Sequence, residues 1–184
     1  MAVEEDLVPL VRRFQGGDVQ SFEALVERFA APLARFVGHM VPEKGLAEDL
    51  LQSLWLKAWT HRQALQDPAK IKAWLYMIAH REALMHLRGS QKIESLEEAD
   101  EPSTSGSSPE QALVREEDVG KVKASFHALP PLYKSVIWLA VVEELPHAQI
   151  AKVLGIPEGT CRSRLHNALN RLKKSVNDPR EDAS

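Results

Sequence analysis

Residues 89–111 read GSQKIESLEEADEPSTSGSSPEQ, and this stretch limits what the rest of the chain can fold into. It is rich in Ser, Glu, Gly and Pro and has no sustained apolar periodicity, so it cannot bury enough surface to offset the entropy of ordering it. A structureless loop of this length is uncommon inside a compact domain. The chain of 184 residues is therefore expected to fold as two small domains, residues 1–89 and 111–178, joined by a flexible acidic linker at 90–110 that its own charge extends. The charge is distributed accordingly. Residues 89–118 carry two basic and nine acidic side chains, residues 1–88 carry eleven of each, and residues 119–184 carry ten basic against six acidic. The formal net charge of −3 thus comes from the middle segment, and it does not argue against nucleic-acid binding by the second half.

Both halves are expected to be all-α. No run of alternating β-branched residues occurs, and apolar residues recur at helical spacing between Gly and Pro stops. After Phe14, Gly16-Gly17-Asp18 reads as a helix stop and restart. Phe22, Leu25, Val26, Phe29, Leu33 and Phe36 then mark a long helix, with Pro42 and Gly45 breaking the chain after it. A third helix over 47–62 turns Leu50, Leu51, Leu54, Trp55 and Ala58 to one broad face. Beyond Pro68, a fourth helix over 70–88 is expected to bury Ile71, Trp74, Leu75, Ile78 and Met85 and to leave Lys70, Lys72, His80 and Arg88 outside. In the second half, helices are expected over about 109–128, over 132–144 after Leu129-Pro130-Pro131, and over a short segment at 147–155. Pro146 suits the first turn of that short helix, Gly155 the sharp turn after it, and Ile156 the corner.

Several function classes are disfavoured. The longest apolar run, Val136 to Val142, is far too short to span a bilayer, and MAVEED lacks the basic region of a signal peptide, so a cytoplasmic protein without membrane insertion is expected. The single cysteine, Cys161, leaves no internal disulfide and no multi-cysteine metal cluster, and the seven histidines are scattered, so no metal site is expected. The adjacent acids Glu48-Asp49 and Glu143-Glu144 point in different directions on a helix, a poor arrangement for paired acid/base work. With no phosphate loop or nucleophile motif either, the chain is read as a non-enzyme with no cofactor and no small-molecule substrate. Trp55, Trp59, Trp74 and Tyr76 offer stacking surfaces, but aromatics at helical spacing are more often core residues.

Residues 155–174, GIPEGTCRSRLHNALNRLKK, carry the most chemistry. On a helix, Cys161, Leu165, Ala168 and Leu172 form an apolar stripe that would face back onto Ile150 and Val153, with Cys161 an inert core thiol. Arg162, Ser163, His166, Asn167 and Asn170 fall on the opposite face, with Arg164 and Lys173 at its edges. Arg can pair bidentately with guanine, Asn with adenine, and Ser or Lys can bind phosphate. Glu158-Gly159-Thr160 lies at the amino end, where free amides can receive a phosphate. A short helix, a glycine turn and a longer helix with a polar outer face make a helix-turn-helix pattern. A packing corner between two helices gives the same pattern, so the pattern alone leaves both readings open.

Three motifs in order break the tie. Glu48-Asp49-Leu50-Leu51-Gln52 leads into Trp55-Leu56-Lys57-Ala58-Trp59. Trp74-Leu75-Tyr76-Met77-Ile78-Ala79 follows, and Leu129-Pro130 through Ile150-Ala151 and Leu154-Gly155-Ile156-Pro157-Glu158-Gly159-Thr160-Cys161-Arg162-Ser163-Arg164-Leu165-His166 completes the set. The chain resembles bacterial RNA polymerase sigma factors of the sigma-70 superfamily, in the small two-domain extracytoplasmic-function group. The resemblance implies that the first domain is sigma region 2, binding core RNA polymerase through Asp49 and Gln52. The same domain would engage the minus-ten promoter strand with Lys57, Arg62, Lys70, Lys72, His80, Arg81 and Arg88 and hold a flipped base in the loop from about Thr60 to Ala69. It implies that the second domain is region 4, reading the minus-thirty-five element of promoter DNA with Glu158, Gly159, Thr160, Arg162, Ser163, Arg164, His166, Asn167 and Lys173. An anti-sigma factor is the implied regulatory partner. The chain departs from the family pattern at Arg81 and Met85, which replace a customary Asn and Asp, and at Asn167 and Leu169, where arginines are frequent. Glu82 falls on the core side of the period and is expected to pair with a base such as Arg81 or His86, or to face a partner. Arg81 and Met85 motivate a second reading, a sigma-like adaptor or decoy that binds polymerase or an anti-sigma factor without melting DNA. A conventional repressor would leave the first-domain motifs unexplained.

Overall fold

The computed structural model describes residues 7–41, 43–89 and 116–177. Among these the regular elements are all helical, and they divide into two units, one made up of the helices up to Gly89 together with Lys152–Gly155, the other of the remaining residues from Glu116. The linker expected at 90–110, Pro42 and the beginning of the helix expected from about residue 109 lie outside the described residues.

The first unit contains α1 (Val8–Gln15), α2 (Val19–Met40), α3 (Lys44–Thr60) and α4 (Ile71–Gly89), with 3₁₀ turns at Arg62–Ala64 and Pro68–Lys70 between the last two. The stop and restart after Phe14 has a clear cause. Gly17 sits at φ 91°, a conformation open to glycine, and Asp18 caps α2 by accepting the Ser21 amide at 3.0 Å. The Ser21 hydroxyl and amide together hold the Asp18 carboxyl below its ordinary range. Gly45, expected in the break before α3, lies in its first turn. Leu25, Leu33 and Phe36 of α2 meet Leu54 and Ala58 of α3 and Ile71, Leu75, Tyr76, Ala79 and Ala83 of α4 in the core, with Val11 and Phe14 of α1 closing one side. Phe36 and Tyr76 pack edge to face, centroids 5.1 Å apart, so Tyr76 and the buried Trp74 are core aromatics.

Helix α4 buries Ile71, Trp74 and Leu75 as expected, but its later turns are set differently. Met85, expected inside, is 65% exposed, and His80, expected outside, is 2% exposed. Ile78 is only half-buried. The buried face is centred on Ala79 and Ala83, because α4 packs against both α2 and α3 and small residues let the helices approach. A periodicity weighted toward large apolar side chains picks the neighbouring Ile78 and Met85 instead.

The second unit contains α5 (Glu116–Ala128), α6 (Pro131–Ile137), which runs on into a π-helical turn at Trp138–Val142, α7 (His147–Leu154) as far as Ala151, and α8 (Glu158–Asn177). The helix expected to continue to residue 144 ends earlier, and Glu144 turns the chain at φ 52°. Pro146 stands before α7 rather than within it, its carbonyl accepting from Gln149 at 2.8 Å and Ile150 at 3.0 Å. Gly155 makes the expected sharp turn at φ 68°, and the Ile156 amide donates back to the Ala151 carbonyl at 3.0 Å. Cys161 and Ala168 are buried and Leu165 and Leu172 half-buried, but this stripe packs chiefly against α5 and α6 rather than the preceding helix. The Arg171 guanidinium lies 4.8 Å from the Tyr133 ring centroid, and the Ser175 hydroxyl donates to Ser125 at 3.0 Å, tying the far end of α8 down.

Candidate nucleic-acid interface

Because Cys161 and Ala168 fix which side of α8 is buried, the other side is set by the helical period. Glu158, Gly159, Arg162, Asn170 and Lys173 are exposed, while Thr160, Ser163, Arg164, His166 and Asn167 are half-buried. α8 thus brings the whole set expected at 158–173 onto one 20-residue helix. Within it, Arg162 forms an ion pair with Glu158 one turn earlier, and the Ser163 hydroxyl donates to the Thr160 carbonyl at 3.1 Å. The Asn170 amide nitrogen lies 2.9 Å from His166 Nε2, within hydrogen-bond distance one turn along the helix. Burial pushes the Cys161 thiol up, against the opposing pull of Arg164, so it is a core group and not a reactive one.

The first unit sorts its expected residues less evenly. Asp49 and Gln52 are exposed on α3, and Leu56, one turn further along the same face, is 67% exposed. Of the seven expected promoter-strand contacts, Lys70, Arg81 and Arg88 are exposed, and Lys70 is ion-paired with Asp67 at 2.8 Å. Lys72 is half-buried. Arg62 is folded back over the Trp59 ring, 4.7 Å from its centroid, and donates to the Trp59 carbonyl at 2.9 Å.

One expectation is corrected: His80 is buried, so it is not on an outer face. The Lys57 ammonium pairs in the unbound chain with Glu82 of α4, which also accepts the Ser53 hydroxyl at 2.7 Å. Glu82 is expected to pair with a base such as Arg81 or His86, or to face a partner, and it does pair with a base, Lys57. It cannot turn to Arg81, since successive residues diverge by 100° around a helix, and it lies instead on the side of α4 that meets α3. The carboxylate is thus buried with a cation and a hydroxyl around it, as a buried charge requires.

Sequence reasoning missed an apolar cleft of about 330 Å³ lined by Val19, Phe22, Trp55, Leu56 and Trp59. Phe22 packs against Trp59 at 5.1 Å and Trp55 at 6.0 Å, and both indoles are half-buried. The exposed Leu56 beside two tryptophans in the motif was the available signal. Among the described residues no group of three or more His, Cys, Asp or Glu side chains is placed to hold a metal ion, and no helix is long and apolar enough to cross a membrane.

Residues 25–93 match the model of sigma-70 region 2, and residues 121–172 that of sigma-70 region 4. The chain is 28% identical over 186 residues to the RNA polymerase sigma-H factor of Pseudomonas aeruginosa, covering 96% of both chains. It is 28% identical over 177 residues to the ECF RNA polymerase sigma-E factor of Escherichia coli K12, covering 91% of this chain and 92% of that one. Among solved structures, the sigma factor RpoE in complex with the anti-sigma factor NepR, from Bartonella quintana, shares the fold with a TM-score of 0.66 at 23% identity, over 88% of this chain and 100% of that one. With regions 2 and 4 present in order, on separate helical units and together over more than half its length, the chain belongs to the sigma-70 family of RNA polymerase sigma factors, in its extracytoplasmic-function group.

Proposed function

We propose that this sigma factor binds core RNA polymerase through the exposed face of α3, with Asp49 and Gln52 as polar contacts, and directs it to promoters whose upstream element is read by α8. Residues 1–89 serve as the polymerase-binding and minus-ten domain, residues 111–178 as the minus-thirty-five domain, and 90–110 as the tether. The outer face of α4 supplies Arg81 and Arg88 to the promoter strand. Exposed Met85, one turn from Arg81, gives that face an apolar contact beside its cations, a combination suited to unstacked bases. The factor acts in the cytoplasm without chemistry of its own, and an anti-sigma factor controls it, a reading supported by the complex of its structural relative RpoE with the anti-sigma factor NepR.

The observation that carries this reading is α8. Its buried stripe anchors it to α5 and α6, while Arg162, Ser163, Arg164, His166 and Asn167 share one helix with base-reading chemistry. Arg164→Ala is expected to impair use of the upstream element while leaving polymerase binding intact, and Asp49→Ala or Gln52→Ala to weaken polymerase binding. Equal loss of both activities in the Arg164 variant would sink the division of labour. The adaptor reading draws on Arg81 and Met85 alone; polymerase binding without initiation would favour it.

A further inference from the structure

Glu158 and Arg162 stand one turn apart at the start of α8 and hold each other in an ion pair in the unbound chain. Both side chains face solvent, Arg162 at 66% and Glu158 at 43% exposure. Such an exposed pair contributes little to stability and is readily exchanged for other partners. The position is open: Gly159 follows Glu158, and a Cβ built there would meet nothing within 4 Å. Nearby polar groups are engaged within the helix, Ser163 with Thr160 and Asn170 with His166.

Binding changes the balance of this pair. An arginine that turns to a guanine edge or a phosphate must leave Glu158. The freed carboxylate then faces a groove walled by phosphates, where it is costly unless it receives a hydrogen bond. In the major groove only cytosine and adenine offer an amino donor; guanine and thymine offer acceptors, with thymine adding a methyl group. We propose that Glu158 is a specificity-determining residue of the upstream element. Released from Arg162 on binding, it accepts from a cytosine or adenine amino group next to the base contacted by Arg162, so elements with guanine or thymine there are rejected. The assignment rests on α8 being the DNA reader. It makes the ion pair a latch: Arg162 is delivered to DNA only where the bases supply Glu158 with a replacement donor.

The test uses holoenzyme assembled from the full chain and core polymerase, transcribing a promoter library randomised across the upstream element. The wild-type chain, Glu158→Ala and Arg162→Ala are compared by sequencing the templates that yield transcripts. Wild type is expected to prefer cytosine or adenine at one place, by about 5- to 100-fold over guanine and thymine, the usual range for a discriminated base pair. Glu158→Ala should lose that preference and keep those elsewhere. Arg162→Ala should lose a preference at the neighbouring place. An unchanged base profile in Glu158→Ala overturns the proposal, as does a uniform rise in output on all sequences, which would make Glu158 a simple electrostatic brake. If wild type shows no upstream preference at all, the reading of α8 fails with it; if wild type and Arg162→Ala behave as expected and only Glu158→Ala does not, the failure belongs to this inference alone.

Discussion

The Lys57–Glu82 pair makes an asymmetric prediction. The Glu82 side chain is 10% exposed and the Lys57 side chain 41%, so the two ends of the pair stand in different surroundings. Lys57→Met strands a nearly buried carboxylate with only the Ser53 hydroxyl to serve it. Removing one partner of a fully buried pair costs about 3–5 kcal/mol; because water already reaches the Lys57 end, about 1–3 kcal/mol is expected here. Glu82→Leu instead leaves an ammonium that can turn to solvent, and puts an apolar side chain among Ala79 and Ala83. Its cost should be within about 1 kcal/mol of zero. The double variant should then recover most of the stability lost in Lys57→Met. Urea denaturation followed by fluorescence is a suitable assay, since Trp55, Trp59 and Trp74 all lie in the first unit and report on it. For a unit of this size, the single Lys57 variant should fall by about 4–24 °C in Tm. If Glu82→Leu is as damaging as Lys57→Met, or if the two losses simply add, then the pair is not coupled and the carboxylate is not buried against a needed cation.

Other consequences are equally specific. Glu144 turns the chain at φ 52°, where a side chain is strained, so Glu144→Gly should stabilise the second unit by about 0.5 kcal/mol once the added freedom of the unfolded chain is subtracted; a destabilised variant in thermal melts would count against that turn. Cys161 is fully buried with its thiol pushed up by burial, so thiol reagents should label it only under unfolding conditions, and rapid labelling of the native chain would contradict its place in the stripe. The Asp18 carboxyl is lowered in the folded state by Ser21, so it favours folding above its unfolded value and loses that effect as pH falls through its lower folded value. Asp18→Asn should therefore flatten the stability profile below about pH 4, and an unchanged acid limb would refute the cap's contribution.

The sequence made the helices and the two-part layout legible because Gly, Pro and Asp sit where the backbone turns: Gly17 and Gly155 at positive φ, Asp18 as a cap, Pro130 before α6. The inward stripe of α8 was legible too, a single i, i+4, i+7, i+11 series of which Cys161 and Ala168 are buried and Leu165 and Leu172 half-buried. What the sequence hid was the setting of the later turns of α4. α4 contacts two helices, so its buried face is wide and centred on alanines, which carry little weight in an apolar count. That alone misplaced Met85 and His80. Contacts between helices were hidden for the same reason: Glu82 and Lys57 are 25 residues apart, and no periodicity within one helix could pair them. The cleft at Trp55 and Trp59 likewise needs Val19 and Phe22 from another helix to form it.

Transcription in vitro with purified core polymerase tests the central claim most directly. The chain is expected to yield transcripts starting at defined positions downstream of a promoter carrying the cognate upstream and minus-ten elements, and core polymerase alone to yield none there. Stable binding to core polymerase with no initiation on any template of a genomic promoter library would contradict the account.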